Sequence, residues 1–529
     1  MWAQEEEVRK PLLSGGSDYY GIDDDSSSKK KSSSSSDVQG VRKTSCNDIL
    51  FLILFLGCVV AMAVISGFAY SRGNPSVLIP QNQIINTIGN QTEQVITSGI
   101  QNAVAQMRQN KDVLIYSVIL SIALAAVWVE LLKNFTRFFI YLTLCLGVAL
   151  VVCLGGVFVF IGRKEDSEAT QIVGYCLMAS TIILIAVIIY LKKSIDLTCA
   201  MFTETCRGVQ RNPSVFIVGF LVIIAFVGFL AYWTSSFIYL FSIPGQSITI
   251  GDSSDSSDII GLPHFNSKIR NLMFFMIFAF CWVTSFISAV FQHVVAGAVS
   301  HWYFSRNPTG ETNIGNHNAF TSLGRALSTS MGSLALGSLI IGFIEFMGVM
   351  LRISKNTNAE NKLLVFVINC LQCILSCVEG IVRWVNKFGY IYVSMHGYSF
   401  CKSTKDCFDM VSRNMFSAII MDFIGSFVLL LGKFLVTAGT GIFSSLLLYA
   451  LGRSLKDNAL TVGLAALFAF CITNIFTHII GIGTDTIFVC YLEDLEENGR
   501  DGNLYISSDL HELLQQKQST LKKKDVENN

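Results

Sequence analysis

A chain of 529 residues that is 52% hydrophobic and only 14% charged falls well below the roughly 25% charge of soluble domains. Its 38 basic and 38 acidic residues cancel, which excludes the basic face that nucleic-acid binding requires. With a mean hydropathy of +0.53 and repeated apolar runs longer than about 18 residues, the composition is that of a membrane protein.

The chain opens on MWAQEEEVRKPLLSGGSDYYGIDDDSSSKKKSSSSSD. This start is polar and serine-rich without an apolar core, so residues 1–47 are read as a disordered cytosolic tail and not as a signal peptide. Its EEEVRKPLL resembles an acidic dileucine sorting signal, with Glu7 one residue too far from Leu12. The plasma membrane is the default address, and an endosomal or other internal membrane the second choice.

Ten spans follow, near 48–70, 113–132, 138–161, 171–191, 214–240, 270–300, 329–351, 363–390, 417–450 and 459–482. They define an all-α, polytopic domain over 48–490, with a cytosolic tail at 491–529, and the even count puts both tails on one side. Lys29, Lys30, Lys31, Arg42 and Lys43 precede the first span. Lys133, Arg137, Lys192, Lys193, Arg207, Arg211, Lys402 and Lys405 join them in loops on the same side, which argues for cytosolic termini. Arg163, Lys164, Arg352 and Lys355 sit opposite and make the bias modest.

The first outer loop, 71–112, carries the glycosylation acceptor Asn90-Gln91-Thr92, whereas Asn134-Phe135-Thr136 would be cytosolic and unused. Residues 192–212 mix apolar and charged side chains and predict an amphipathic helix on the cytosolic surface; 242–269, with GDSSDSSD, is an acidic outer loop. As one helix, 417–450 would be about 50 Å long against a bilayer core of about 30 Å, so a break or tilt is expected at Gly439 and Gly441. Fifteen cysteines are present but none in the outer segments, so no disulfide is expected there.

Charges inside spans mark function because an unpaired one costs on the order of 3 kcal/mol. Glu345 in LIIGFIEFMGVML is the clearest acid, about 24 Å along its helix from the cytosolic end. It either attracts a cation, or neutralises Lys433, or stays protonated. Asp422 and Lys433 share a helix face but stand about 16 Å apart along it, too far to pair in a straight helix. Trp282 falls near mid-bilayer, where it either lines a cation path through cation–π attraction or packs; Tyr232 and Trp233 are further lining candidates. Trp302, Tyr303 and Trp384, near span ends, read as interfacial belt residues.

Cys370, Cys373 and Cys377 share a helix face without a fourth ligand and read as packing, not as metal. His293 and His301 form no ligand set, and MGSLALGSLIIG is a small-residue packing helix. No cofactor motif and no constellation of nucleophile, base or metal stands at catalytic spacing, so the chain is not read as an enzyme.

Four motifs then resemble the choline transporter-like family, including its fungal relatives, over about residues 110 to 500. They are LGRALSTSMGSLALGSLI (323–340), VNKFGYIYVSMHGYSFCKSTKDCFDMVSRN (385–414), FVLLLGKFLV (427–436) and the stretch from Asp485 to Glu496. The resemblance implies ten spans with both ends cytosolic, and movement of choline or related organic cations such as ethanolamine, coupled to or exchanged with protons. The first outer loop is much shorter than in the animal members and lacks their cysteines. Substrate is expected between spans 5, 6 and 7, with Trp282, Tyr232 and Trp233 facing the ammonium and Glu345 supplying negative potential or exchanging a proton. The alternative is a non-transporting membrane scaffold or lipid-interacting protein, working through 192–212 and the tails.

In GIGTDTIFVCYLEDLEENG, Asp485 follows the last span and is expected at the cytosolic boundary. Ile487, Phe488, Tyr491, Leu492 and Leu495 recur as one stripe, with Asp494, Glu496 and Glu497 largely off it. The stretch predicts a helix against the cytosolic span ends, where Asp485 and Glu493 meet Arg325 or Arg413 as a gate.

Overall fold

The computed structural model describes residues 47–74, 105–243, 267–305, 319–357, 362–454, 458–498 and Tyr505. Residues 1–46, Asn90 and most of the loops 71–112 and 242–269 lie outside the described residues, as does 499–529 apart from Tyr505. All regular elements described are α-helices: α1 (Ile49–Arg72), α2 (Lys111–Lys164), α3 (Glu168–Tyr190), α4 (Lys192–Arg211), α5 (Ser214–Phe241), α6 (Ser267–Phe304), α7 (Ala319–Ala326), α8 (Met331–Thr357), α9 (Lys362–His396), α10 (Phe400–Ser412), α11 (Met415–Ala450) and α12 (Ala459–Asn498). In lipid a helix satisfies its own backbone polar groups, which an irregular segment does not.

Nine of the described helices are long and apolar enough to cross a membrane. One of them, α2, has 54 residues, about 80 Å at 1.5 Å per residue and far more than one crossing needs. Phe135 leaves helical geometry inside it (φ −124°, ψ 28°), next to the polar Lys133 and Asn134. The break separates 111–134 from 136–164, so nine helices make ten crossings.

The side-chain ties sort the helix ends onto two faces. Asn47 donates to the Gly397 carbonyl at 2.8 Å, and His396, one residue earlier, stands against Glu493 of α12. The described bundle therefore begins and ends on one face, called the tail face below. The break in α2 lies there too, since Lys133 reaches Gln210 of α4 at 3.1 Å. On the opposite face Arg453 after α11 bonds Asn110 and Asp112 at the start of α2, and Asn110 donates to Asn458 beside α12.

Helix α8 is the small-residue packing helix the sequence predicts. A side chain at Gly342 would meet the Trp282 backbone, and one at Gly337 the rings of Tyr390 and Phe400. Helix α4 is amphipathic as expected, but its apolar face is inside the protein: Ile195, Phe202, Cys206 and Val209 are all buried, against α2, α6, α11 and α12.

Three expectations change. Helix α11 runs unbroken from Met415 to Ala450, so Gly439 and Gly441 make no kink; Gly425 and Gly432 instead let Phe202 and Trp128 come close. Cys370, Cys373 and Cys377 face outward from α9 and do not pack in the core. Helix α12 continues to Asn498, and every residue from Ile482 to Asp494 is buried. The apolar stripe is not the rule there, because α4, α6, α9, α10 and α11 surround that half of the helix. Tyr491, Leu492 and Asp494, read as the start of a tail, are core.

Candidate functional site

Helices α6, α9, α11 and α12, with single residues from α4 and α8, line a half-open cavity of about 700 Å³. Its wall is polar for a bundle interior. Ser285, Ser288 and Gln292 come from α6, Arg383 and Lys387 from α9, Asp422 and Lys433 from α11, and His478 and Asp485 from α12, with Trp384 and Tyr390 adding aromatic rings. Asp422 lies seven residues into α11, about 10 Å from its tail-face end, and Lys433 about 16 Å further along.

The charges form two clusters. In the outer one, Arg383 Nε donates to Glu379 at 2.9 Å, and its Nη2 pairs with Glu345. Ser285 Oγ donates to the other Glu345 oxygen at 3.1 Å. In the inner one, Lys387 Nζ stands 2.8 Å from Asp422 Oδ1 and 2.9 Å from Asp485 Oδ2. Trp384 Nε1 donates to Asp422 Oδ2 at 2.8 Å. Lys433 has no carboxylate within ion-pair distance among the described residues.

The predicted site residues distribute as follows. Glu345 does not neutralise Lys433; Arg383 takes it. Asp422 and Lys433 are unpaired with each other, as their spacing requires, and both line the cavity. Asp485 also lines the cavity and is 6% exposed; it meets Lys387, not Arg325 or Arg413. Glu493 faces His396, whose Nε2 is 2.7 Å away without the alignment of a hydrogen bond. Arg413 pairs with Glu496. Arg325, in the short helix α7, packs over Gly297, and burial pushes its guanidinium down from the usual arginine range. The four gate candidates therefore do not meet one another.

Trp282 is 1% exposed and packs edge-on against Phe55, with Nε1 donating to the Ala335 carbonyl at 3.2 Å. Tyr232 donates to Ser66, and Trp233 to the Met276 carbonyl. None of these three is on the cavity wall, because α1 and α8 fill the space beside them. Among the described residues no cluster of three metal-ligating side chains occurs.

The residues that sequence reasoning passed over as site residues are Glu379, Arg383 and Lys387, while Trp384, read there as a belt residue, lines the cavity. A signal was present: the three charges recur every four residues, which stacks them on one face inside the span 363–390.

A family profile described as plasma-membrane choline transporter matches residues 175–496, a range that contains the whole cavity lining. A CTL-like protein of Dictyostelium discoideum is 60% identical, covering 100% of this chain and 99% of its own length. Choline transporter-like protein 2 of the same organism is 26% identical over 83% of this chain and 72% of that protein. Choline transporter-like protein 5 of Mus musculus is 28% identical over 64% of this chain and 52% of that one. The chain belongs to the choline transporter-like family, whose members are multi-pass membrane transporters and not enzymes.

Proposed function

We propose that the protein moves choline or a closely related organic cation, such as ethanolamine, through the cavity between α6, α9, α11 and α12, in exchange with protons. The charge count carries this reading. Among the described residues, and taken with their direct partners, the acids and basic side chains of the wall other than His478 are Asp422, Asp485, Glu345 and Glu379 against Arg383, Lys387 and Lys433. One negative charge is in surplus, in a place where an unbalanced charge is costly. A monovalent cation meets that need. The Trp384 and Tyr390 rings give a quaternary ammonium the faces it favours. The relatives' names and the family description support the same substrate class. The basic loops and family description favour the plasma membrane, with the tail face towards the cytosol.

Purified protein in liposomes is expected to accumulate labelled choline above protein-free vesicles, and faster when a pH gradient is imposed. Uptake of neither choline nor ethanolamine above that background, with and without the gradient, would sink the reading.

A further inference from the structure

We propose that Asp422 and Asp485 form the cation seat of this cavity, and that Lys387 leaves the pair one positive charge short of neutral, so that a proton and one organic cation alternate there. This rests on the reading of the cavity as an organic-cation route. It adds the site and the reason for a one-for-one exchange.

The geometry is that of a shared counter-ion. Three helices, α9, α11 and α12, bring one ammonium and two carboxylates together, with Lys387 Nζ 2.8 Å from Asp422 and 2.9 Å from Asp485. Both carboxyls stand within 2.9 Å of the same ammonium, and the Asp485 side chain is only 9% exposed against 30% for Asp422. Two like charges that share one ammonium, one of them buried, do not both remain bare. Lys387 answers one of them.

Among the described residues no other fixed cation answers the second. Arg383, one turn away on α9, is held by Glu345 and Glu379. Lys433 on α11 is about 16 Å along the axis from Asp422, and His478 on α12 about 10 Å from Asp485. Helix α6 presents Ser285, Ser288 and Gln292, α4 presents Phe202, and α9 adds the Tyr390 hydroxyl, all neutral. The open place is taken by a proton on the pair or by a cation from the cavity. When the cation arrives, the carboxyl O–H gives its proton to water, one charge enters, one leaves, and no other bond changes. Trp384 holds Asp422 through its indole N–H, which keeps that oxygen aimed at the pair. A compact ammonium on a flexible stem suits such a seat better than a planar guanidinium, which would hold both acids at once.

The test is calorimetric titration of the full-length protein in detergent with choline, ethanolamine and tetramethylammonium, in two buffers of different ionisation enthalpy. Wild-type protein is expected to release a single proton per choline bound. Asp485→Asn leaves one carboxylate already neutralised by Lys387, and its affinity for choline should fall about tenfold to a hundredfold. The double variant Lys387→Met/Asp485→Asn again has one carboxylate without a partner cation. Its affinity should return most of the way to wild type, a rescue that a merely structural lysine does not produce. Should Asp485→Asn not give folded protein, Asp422→Asn alone and with Lys387→Met tests the same count. Choline binding without proton release, unchanged affinity in Asp485→Asn, or a double variant no better than the single one would each overturn the proposal alone. A wild-type protein that binds none of the three cations would overturn the reading of the cavity with it.

Discussion

Arg383 and Lys387 stand one turn apart on α9, and each faces two carboxylates, but the two clusters are built for different work. Glu379 lies on the arginine's own helix and Glu345 on the neighbouring α8, where Ser285 braces it. All three side chains are substantially exposed, at 44%, 32% and 27%. The guanidinium is permanently charged and planar, so it clamps α8 to α9 and stays there. The acids of Lys387 come from α11 and α12, across the cavity, and the lysine is 20% exposed. Equal charge counts therefore do not mean equal capacity to exchange. The outer cluster joins two adjacent helices, and the inner one gathers three helices around the cavity.

Exchanging the two cations is the strongest way to break this comparison. Lys387→Arg preserves charge but places a fork between Asp422 and Asp485, and choline uptake is expected to fall about tenfold or more. Arg383→Lys keeps a charge facing Glu345 and Glu379 outside the proposed exchanging pair and should lower uptake by no more than about threefold. Initial rates in liposomes, normalised to the folded protein present, decide between them. Equal losses would mean that both clusters serve only to hold helices. A smaller effect separates the clusters by coupling. Glu345→Gln should slow uptake about twofold to threefold and leave its dependence on the pH gradient intact, because Arg383 keeps Glu379. Loss of that dependence would move the proton to the outer cluster.

The fold was readable wherever hydropathy decided it. The spans carry their own signal, and the break in α2 shows as the polar Lys133 and Asn134 between apolar runs. The inner half of α12 was not readable in the same way. Its periodicity suggests a one-sided helix, but Tyr303, 191 residues earlier, and the backbone of Tyr505, 11 residues later, both reach Asp494, and a helical period cannot register such partners. The site follows this division. Asp422, Lys433 and Asp485 stand out as charges within or beside spans, whereas Lys387 and Trp384 sit close enough to a span end to pass for interfacial residues. Trp282 misleads for the opposite reason: depth in the bilayer gives no information on which neighbour a side chain faces, and its neighbours are Phe55 and Phe278.

The smallest expected effect sharpens the comparison from outside the cavity. Arg413 and Glu496 join α10 to the end of α12 on the tail face, where sequence reasoning places Arg413 in a gate. Their side chains are 62% and 49% exposed, so water screens the pair and its formation orders two long side chains for little return. Arg413→Ala is expected to shift stability by no more than about 1 kcal/mol and to leave uptake and its pH dependence as they are. Thermal unfolding in detergent and liposome flux measure the two separately. If instead uptake falls as far as with Lys387→Arg while the unfolding temperature holds, a solvated pair at the inner mouth controls passage. The charge count at Asp422 and Asp485 would then not be what limits flux, and the difference between the two clusters on α9 would be one of packing alone.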